Sequence, residues 1–197
     1  MTRPQDPRAG YIAIASAQFA RHGYHGASLA ALAQASGVTK QALLHFFATK
    51  ERLYAQVLED LSKRLCAEID AAAQPDPAAH LERYLMHFHA AALEQSDDVR
   101  LAMRALLDTD ASARYRPLRP YLDRLIALGR RTPGGQHRSE AEILAWLSQM
   151  IGGVQYMAIL MPAVAGMYGP QRQSDVAAQS RTLMRAQIRA FVRQPDR

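Results

Sequence analysis

Only one cysteine, Cys66, occurs in 197 residues. Neither an internal disulfide framework nor a thiolate zinc site can therefore be built within the chain. Ten prolines and eleven glycines are too few for a Pro/Gly-rich disordered chain, and no collagen or solenoid period is present. Pro4, Asp6 and Pro7 stand where a secretory signal would need an apolar run, so no signal peptide is expected. No alternation of apolar and polar residues bounded by turns describes a strand. Charge is also missing, from Ile143 to Gln171. Such a stretch mimics a membrane span, but Ser148, Gln149, Gln155 and the Gly152-Gly153 pair interrupt it, and Pro162 is expected to stop it. A helix apolar all round is equally the mark of a buried subunit interface. The expectation is a soluble, cytoplasmic protein with no membrane partner.

What is present is ample. Apolar types make up 49% of the chain and charged types 21%, close to ordinary globular usage, so wholesale disorder is excluded and a real core is available. Twenty-four basic residues against eighteen acids leave +6, which favours polyanionic partners in general terms.

The apolar spacing is helical nearly everywhere. A first helix runs from Pro7 to His22 with Ile12, Ala15 and Phe19 inward, and Gly23 ends it. Ser28 caps a short helix Leu29–Ala35, and Gly37 breaks the chain. Thr39 caps Lys40–Phe47, and Thr49 caps a longer helix Lys50–Ala73. In that helix Tyr54, Val57, Leu58, Leu61, Leu65 and Ile69 recur at helical steps and bury one face, with Cys66 packed beside them. Gln74-Pro75-Asp76-Pro77 is a strong breaker. Helices are expected at Pro77–Gln95, Asp98–Thr109 and Pro117–Arg131, then a loop at Thr132–Gly135. Ser139 and Glu142 form a capping box that opens a long helix to Met161. After a connection from Pro162 to Gln173, a last helix starts at Ser174-Asp175, with Val176, Leu183, Ile188 and Phe191 inward, and ends at Pro195. The fold class is all-α, about nine helices, divided into residues 1–49 and 50–197.

The informative segment is Ser28–Phe47. Two short helices joined by a glycine-containing turn describe a helix-turn-helix. Ala33 supplies the small residue where the helices touch, and Gly37 tolerates positive φ. Leu32, Val38, Leu43 and Phe46 or Phe47 lock the crossing. Thr39, Lys40, Gln41, Leu44 and His45 remain outward on a helix that would enter a major groove by its N-terminal end. A two-helix corner in any bundle carries the same loose pattern.

The flanks separate these alternatives. From Arg8 to Val57 the chain has Phe19, Gly23-Tyr24, Ser28-Leu29, Ala33, Gly37-Val38-Thr39-Lys40, and Phe47 followed by Thr49-Lys50-Glu51. In this order and spacing it resembles the TetR (tetracycline-repressor-like) family of bacterial transcriptional regulators. The resemblance implies an N-terminal three-helix DNA-binding unit and a helical domain that binds a small-molecule effector and forms a homodimer. It implies double-stranded operator DNA as partner, no cofactor and no enzymatic activity. Ser28, Thr39, Lys40, Gln41, Leu44, His45, Thr49 and Lys50 are the DNA-contact candidates. The family usually has tyrosine at Leu44, a small residue at Gln41 and Ser or Thr at Ala42, so altered preference is expected rather than loss of binding. Leu44 cannot bond a phosphate but can lie against a thymine methyl. The first sixty residues carry six basic groups against four acids, so helix N-termini and hydroxyls must share the phosphate work.

In the second half Tyr84, His87, Met103, Leu107, Trp146 and Met150 are the effector-binding candidates, because flexible Met beside aromatics with polar tips suits an adaptable apolar pocket. It also suits an ordinary core. His80, Tyr84 and His87 share one helical face, while His89 points elsewhere. No ligand spacing for a metal accompanies them. Two other function classes stay open: a helical enzyme pairing His87 with Asp97 or Asp108, and a helical adaptor without DNA binding. The first lacks a nucleophile constellation and a phosphate-cradling loop.

Overall fold

The helices begin where a side-chain oxygen takes the first free N–H groups. Ser28 Oγ accepts from Ala31 at 3.1 Å, Thr39 Oγ1 from Ala42 at 3.1 Å and Thr49 Oγ1 from Arg52 at 3.2 Å. Asp76 accepts from Ala78 and Ala79, and Ser139 with Glu142 closes a reciprocal capping box. The computed structural model describes residues 7–94, 97–107 and 116–193. Among the described residues there are nine α-helices and no strand. They are α1 (Pro7–Gly26), α2 (Leu29–Ala35), α3 (Lys40–Phe47), α4 (Lys50–Ala71), α5 (Pro77–Leu93), α6 (Asp97–Leu107), α7 (Arg119–Arg130), α8 (Glu140–Tyr168) and α9 (Pro170–Val192). The expected all-α class is what the chain adopts.

These elements group into two compact units, with the division falling inside α4 between Arg64 and Leu65. The first unit contains α1, α2, α3, the start of α4, and α6. Its core is Phe19, Leu32, Leu43, Phe47, Leu53, Tyr54, Val57, Leu58 and Leu61, all essentially buried. Gly23 takes φ 69°, so the regular part of α1 stops at His22. Helix α6 packs on α1 and buries Val99, Leu101 and Ala105. Arg64 holds Asp98 through two bonds of 2.9 and 2.7 Å and also pairs with Asp60.

In the second unit Leu65 and Ile69 of α4 join Leu81, Leu85 and Phe88 of α5, Leu125 of α7, Ile143 and Leu147 of α8, and Ile188 of α9. Helix α5 packs on α8 and α9, which also pack on each other. The α7–α8 loop closes the end of α9: Gly134 N–H donates to Val192 O at 2.9 Å, and Arg138 donates to Phe191 O at 2.8 Å. A Cβ on Gly134 would lie 2.1 Å from Phe191 O, and one on Gly135 would lie 1.9 Å from Gly129 O. Only glycine fits at either position.

Several expectations are corrected. Helix α8 does not stop at Met161 but runs through Pro162 to Tyr168. An interior proline costs about 3 kcal/mol, but Met161 and Val164 are buried on either side of it, so packing carries the extra turns. Gly169, at φ 84°, makes the turn, and Pro170 opens α9 four residues earlier than expected. Leu183 is not inward; Met184 takes that place, and Leu183 is 62% exposed. Helix α5 ends at Leu93 and α6 at Leu107; the ends expected at Gln95, Thr109 and Pro195 lie outside the described residues, as does Asp108. One described helix, α8, is long and apolar enough to cross a membrane by length and composition, and only 22% of its most apolar window is buried.

Candidate DNA-binding site

The geometry of α2 and α3 is set by local bonds. Val38 N–H reaches back to Ala33 O at 3.0 Å, and Gly37 turns the chain at φ 67°. Ala33, buried between the helices, lets them approach; Leu32, Leu43 and Phe47 fill the angle. Phe46 lies at the surface, edge-on to Tyr11 at 5.2 Å between ring centroids. Between α3 and α4 the turn is abrupt. Ala48 has φ 61°, ψ −50°, and Thr49 N–H bonds Phe47 O at 2.7 Å. This is a γ-turn, and no residue type in the sequence marks it.

Thr39, Lys40, Gln41 and His45 are exposed along α3 from its N-terminus, while Leu44 is half-buried. The free end of α3 therefore presents donors without apolar cover. Thr49 is exposed as well, and so is Ser28 at the start of α2. Each of the three hydroxyls spends a lone pair on its helix cap and keeps its own proton, so cap and phosphate donor are compatible roles. Lys50 opens α4 with its Nζ 4.5 Å from the centre of the Tyr24 ring. The Tyr24 hydroxyl donates to Glu51 of the same helix start. Arg8 lies over Phe47 and donates to Gln56 at 3.0 Å. Cations, hydroxyls and helix N-termini thus gather in the first unit, which suits a polyanion backbone.

The effector candidates divide between the two units. Met103, half-buried, and Leu107, 69% exposed, belong to the first unit; the other four belong to the second. Tyr84 is fully buried and its hydroxyl donates to Tyr121 at 2.9 Å; burial pushes both phenols far above their ordinary range. His87 faces solvent. The buried positions of α5 are Leu81, Tyr84, Leu85, Met86, Phe88, His89 and Ala92, and residue 87 is left outside them. His89 is instead the buried histidine, 3.1 Å from Ser180 Oγ, and burial pulls it below its ordinary range. Trp146 stacks flat on Phe191 and, with Met150, lines a cleft of about 390 Å³. Met150 also lines a larger cleft of about 570 Å³ between α8 and α9, with Val154, Met157, Leu183 and Met184. No group of three metal-ligating side chains occurs among the described residues. Asp97 is paired with Arg100 at 3.6 Å.

Residues 12–57 match the family described as bacterial regulatory proteins, tetR family. Solved structures of similar fold cover nearly the whole chain. The ketosteroid transcriptional regulator KstR2 of Mycobacterium tuberculosis is 14% identical, with 98% of each chain covered and a TM-score of 0.63. The fatty acid degradation regulator FadR from Bacillus halodurans is 15% identical, over 93% of this chain and 97% of that one, with a TM-score of 0.65. The TetR family regulator PfmR from Thermus thermophilus is 24% identical, over 95% of this chain and 99% of that one, with a TM-score of 0.60. No curated protein matches by sequence. The chain shares the all-α fold of these regulators, and its N-terminal helix-turn-helix segment is similar to the tetR family.

Proposed function

We propose that the protein is a DNA-binding transcriptional repressor, released from its operator by a small, mostly apolar effector. The carrying observation is the exposed N-terminal half of α3, Thr39 to Gln41 and His45, held out by the buried Leu32–Ala33–Leu43–Phe47 contact. In this reading Thr39–His45 enter the major groove, with Gln41, Leu44 and His45 on base edges. Ser28, Thr49, Lys40 and Lys50 engage phosphates. The direct test is selection of double-stranded DNA from a random pool, followed by a titration across salt concentrations. A single recurring sequence with a steep salt dependence is expected. Recovery of no sequence over background removes the proposal.

Binding takes place as a homodimer in which α8 and α9 of each copy meet. Leu144, Tyr156, Ile159 and Leu183 are exposed on these helices, and nothing lies within 4 Å of a Cβ built on Gly152 or Gly153. An apolar patch of this kind needs cover, and one chain alone leaves it open.

For the effector, Tyr84, Trp146 and Met150 of the second unit are the proposed contacts, the Tyr84–Tyr121 hydroxyl pair being the polar handle within an apolar core. One fold relative is named a ketosteroid transcriptional regulator and another a fatty acid degradation regulator, which suits an apolar effector class. The effector acts by binding one dimer geometry more tightly than the DNA-competent one. A hundredfold loss of operator affinity needs about 2.7 kcal/mol of coupling, and operator must weaken effector binding by the same factor.

A further inference from the structure

We infer that Arg104, on α6 and far in sequence from the helix-turn-helix, is a positioning residue for DNA binding. The inference rests on the DNA-binding reading above. Its guanidinium donates to Ala20 O and to Arg21 O, both at 2.8 Å. These carbonyls stand at the C-terminal end of the regular part of α1, just before Gly23 leaves the helical region at φ 69°. A cation there completes bonds that a helix end leaves open and complements the negative end of its dipole. The fit is close: a Cβ on Gly23 would come within 3.3 Å of Arg104 Nη1.

The turn that Arg104 holds is the one from which the phosphate candidates hang. Tyr24 follows Gly23 directly and is buried, with Lys50 over its ring and Glu51 on its hydroxyl. Ala27 N–H then returns to Gly23 O at 3.2 Å, and the next residue, Ser28, caps α2. Ser28 and Lys50 therefore take their positions from the end of α1, and Arg104 fixes that end from outside. Helix α6 is itself fastened at its start by the two Arg64–Asp98 bonds, so the guanidinium is delivered from an anchored element.

The test compares the full-length wild type with Arg104→Ala and Arg104→Lys, using the duplex that the wild type selects from a random pool. Arg104→Ala should weaken binding about tenfold or more and flatten the salt slope by about one as Lys50 loses its phosphate. Arg104→Lys, which keeps the cation but serves the two carbonyls less well, should recover part of both. Hydrogen exchange should accelerate across residues 20–31 in Arg104→Ala while α5, α8 and α9 keep their protection. Wild-type affinity and slope in Arg104→Ala overturn the inference, as does exchange that rises uniformly through the fold. Should the wild type select no DNA, the functional reading fails, and the exchange pattern alone decides whether Arg104 holds the turn.

Discussion

The indole of Trp146 lies flat on the ring of Phe191, with centroids 3.8 Å apart and planes 10° from parallel. Arg138 also lies against that phenyl ring, its guanidinium carbon 4.4 Å from the centroid, while its Nη1 bonds Phe191 O. Phe191 thus joins the end of α9 to the start of α8. Removing it deletes the stacking surface of the chain's one tryptophan. Phe191→Ala is expected to cost about 3–5 kcal/mol. The native-state Trp146 emission should shift to longer wavelength as water reaches the ring. Denaturant titration followed by fluorescence reads both; unchanged emission means that the stack does not form.

Two glycines predict opposite signs for the same substitution. Gly134→Ala places a methyl group 2.1 Å from Phe191 O, a backbone atom that cannot swing aside. A loss of about 3 kcal/mol or more is expected, at or above the upper end for overpacking. Gly10 lies within α1 with nothing within 4 Å of an added Cβ. Gly10→Ala should stabilise by about 0.5–1 kcal/mol through helix propensity alone. Thermal unfolding of the two variants checks the contrast.

Burial of His89, with Arg181 nearby, lowers its folded pKa below the ordinary 6.5. The unfolded chain therefore binds its proton more readily than the native one. The stability associated with neutral His89 is full above pH 6.5 and is lost as pH falls towards the depressed folded value. His89→Gln, which retains a partner for Ser180, should flatten that fall. Melting temperatures measured between pH 7 and pH 5 provide the test: parallel curves for wild type and variant exclude His89 as the source.

Cap chemistry was legible because it is local. Ser28, Thr39, Thr49 and the Ser139–Glu142 box need only residues within one helical turn, and each forms as its spacing predicts. Ala33 and Gly37 are of the same kind. What escaped depends on contacts distant in sequence. Pro162 reads as a stop because the cost of proline is local, whereas the burial of Met161 and Val164 that outweighs it is not. The helical period puts His87 and His89 on different faces of α5, and only the packing of α5 against α9 decides which of them is buried. Arg104 carries no motif at all, since its partners are backbone carbonyls of α1.

On DNA, Lys50→Ala and Gln41→Ala should fail differently. Lys50 serves a sequence-independent phosphate contact. Its loss should weaken all duplexes alike and flatten the salt slope by about one unit. The Tyr24 contact it also loses, at 4.5 Å, is worth about 0.5–1 kcal/mol of stability. Gln41, exposed on α3, should instead change which sequence is preferred, with the slope unchanged. Repeating the random-pool selection with each variant discriminates. Identical preference and slope in both would remove α3 from the groove.

Gly153→Arg separates a dimer face from an ordinary helix surface. Within one chain nothing lies within 4 Å of a Cβ at this position. The new side chain therefore has room, and helix propensity improves by about 0.8 kcal/mol. A monomeric protein should tolerate the change or gain from it. If a second copy packs on α8 there, a bulky cation meets an apolar surface and the copies separate. Two recognition helices can engage successive major-groove faces only when held about one DNA turn, ~34 Å, apart or a multiple of it. Loss of the dimer should therefore abolish operator binding while helicity and monomer stability are retained. Sedimentation velocity and operator titration on the same samples give the answer. A variant that still sediments as the wild type, or a wild type that is monomeric at micromolar concentration, places the exposed Leu144–Tyr156–Ile159 face outside any self-association.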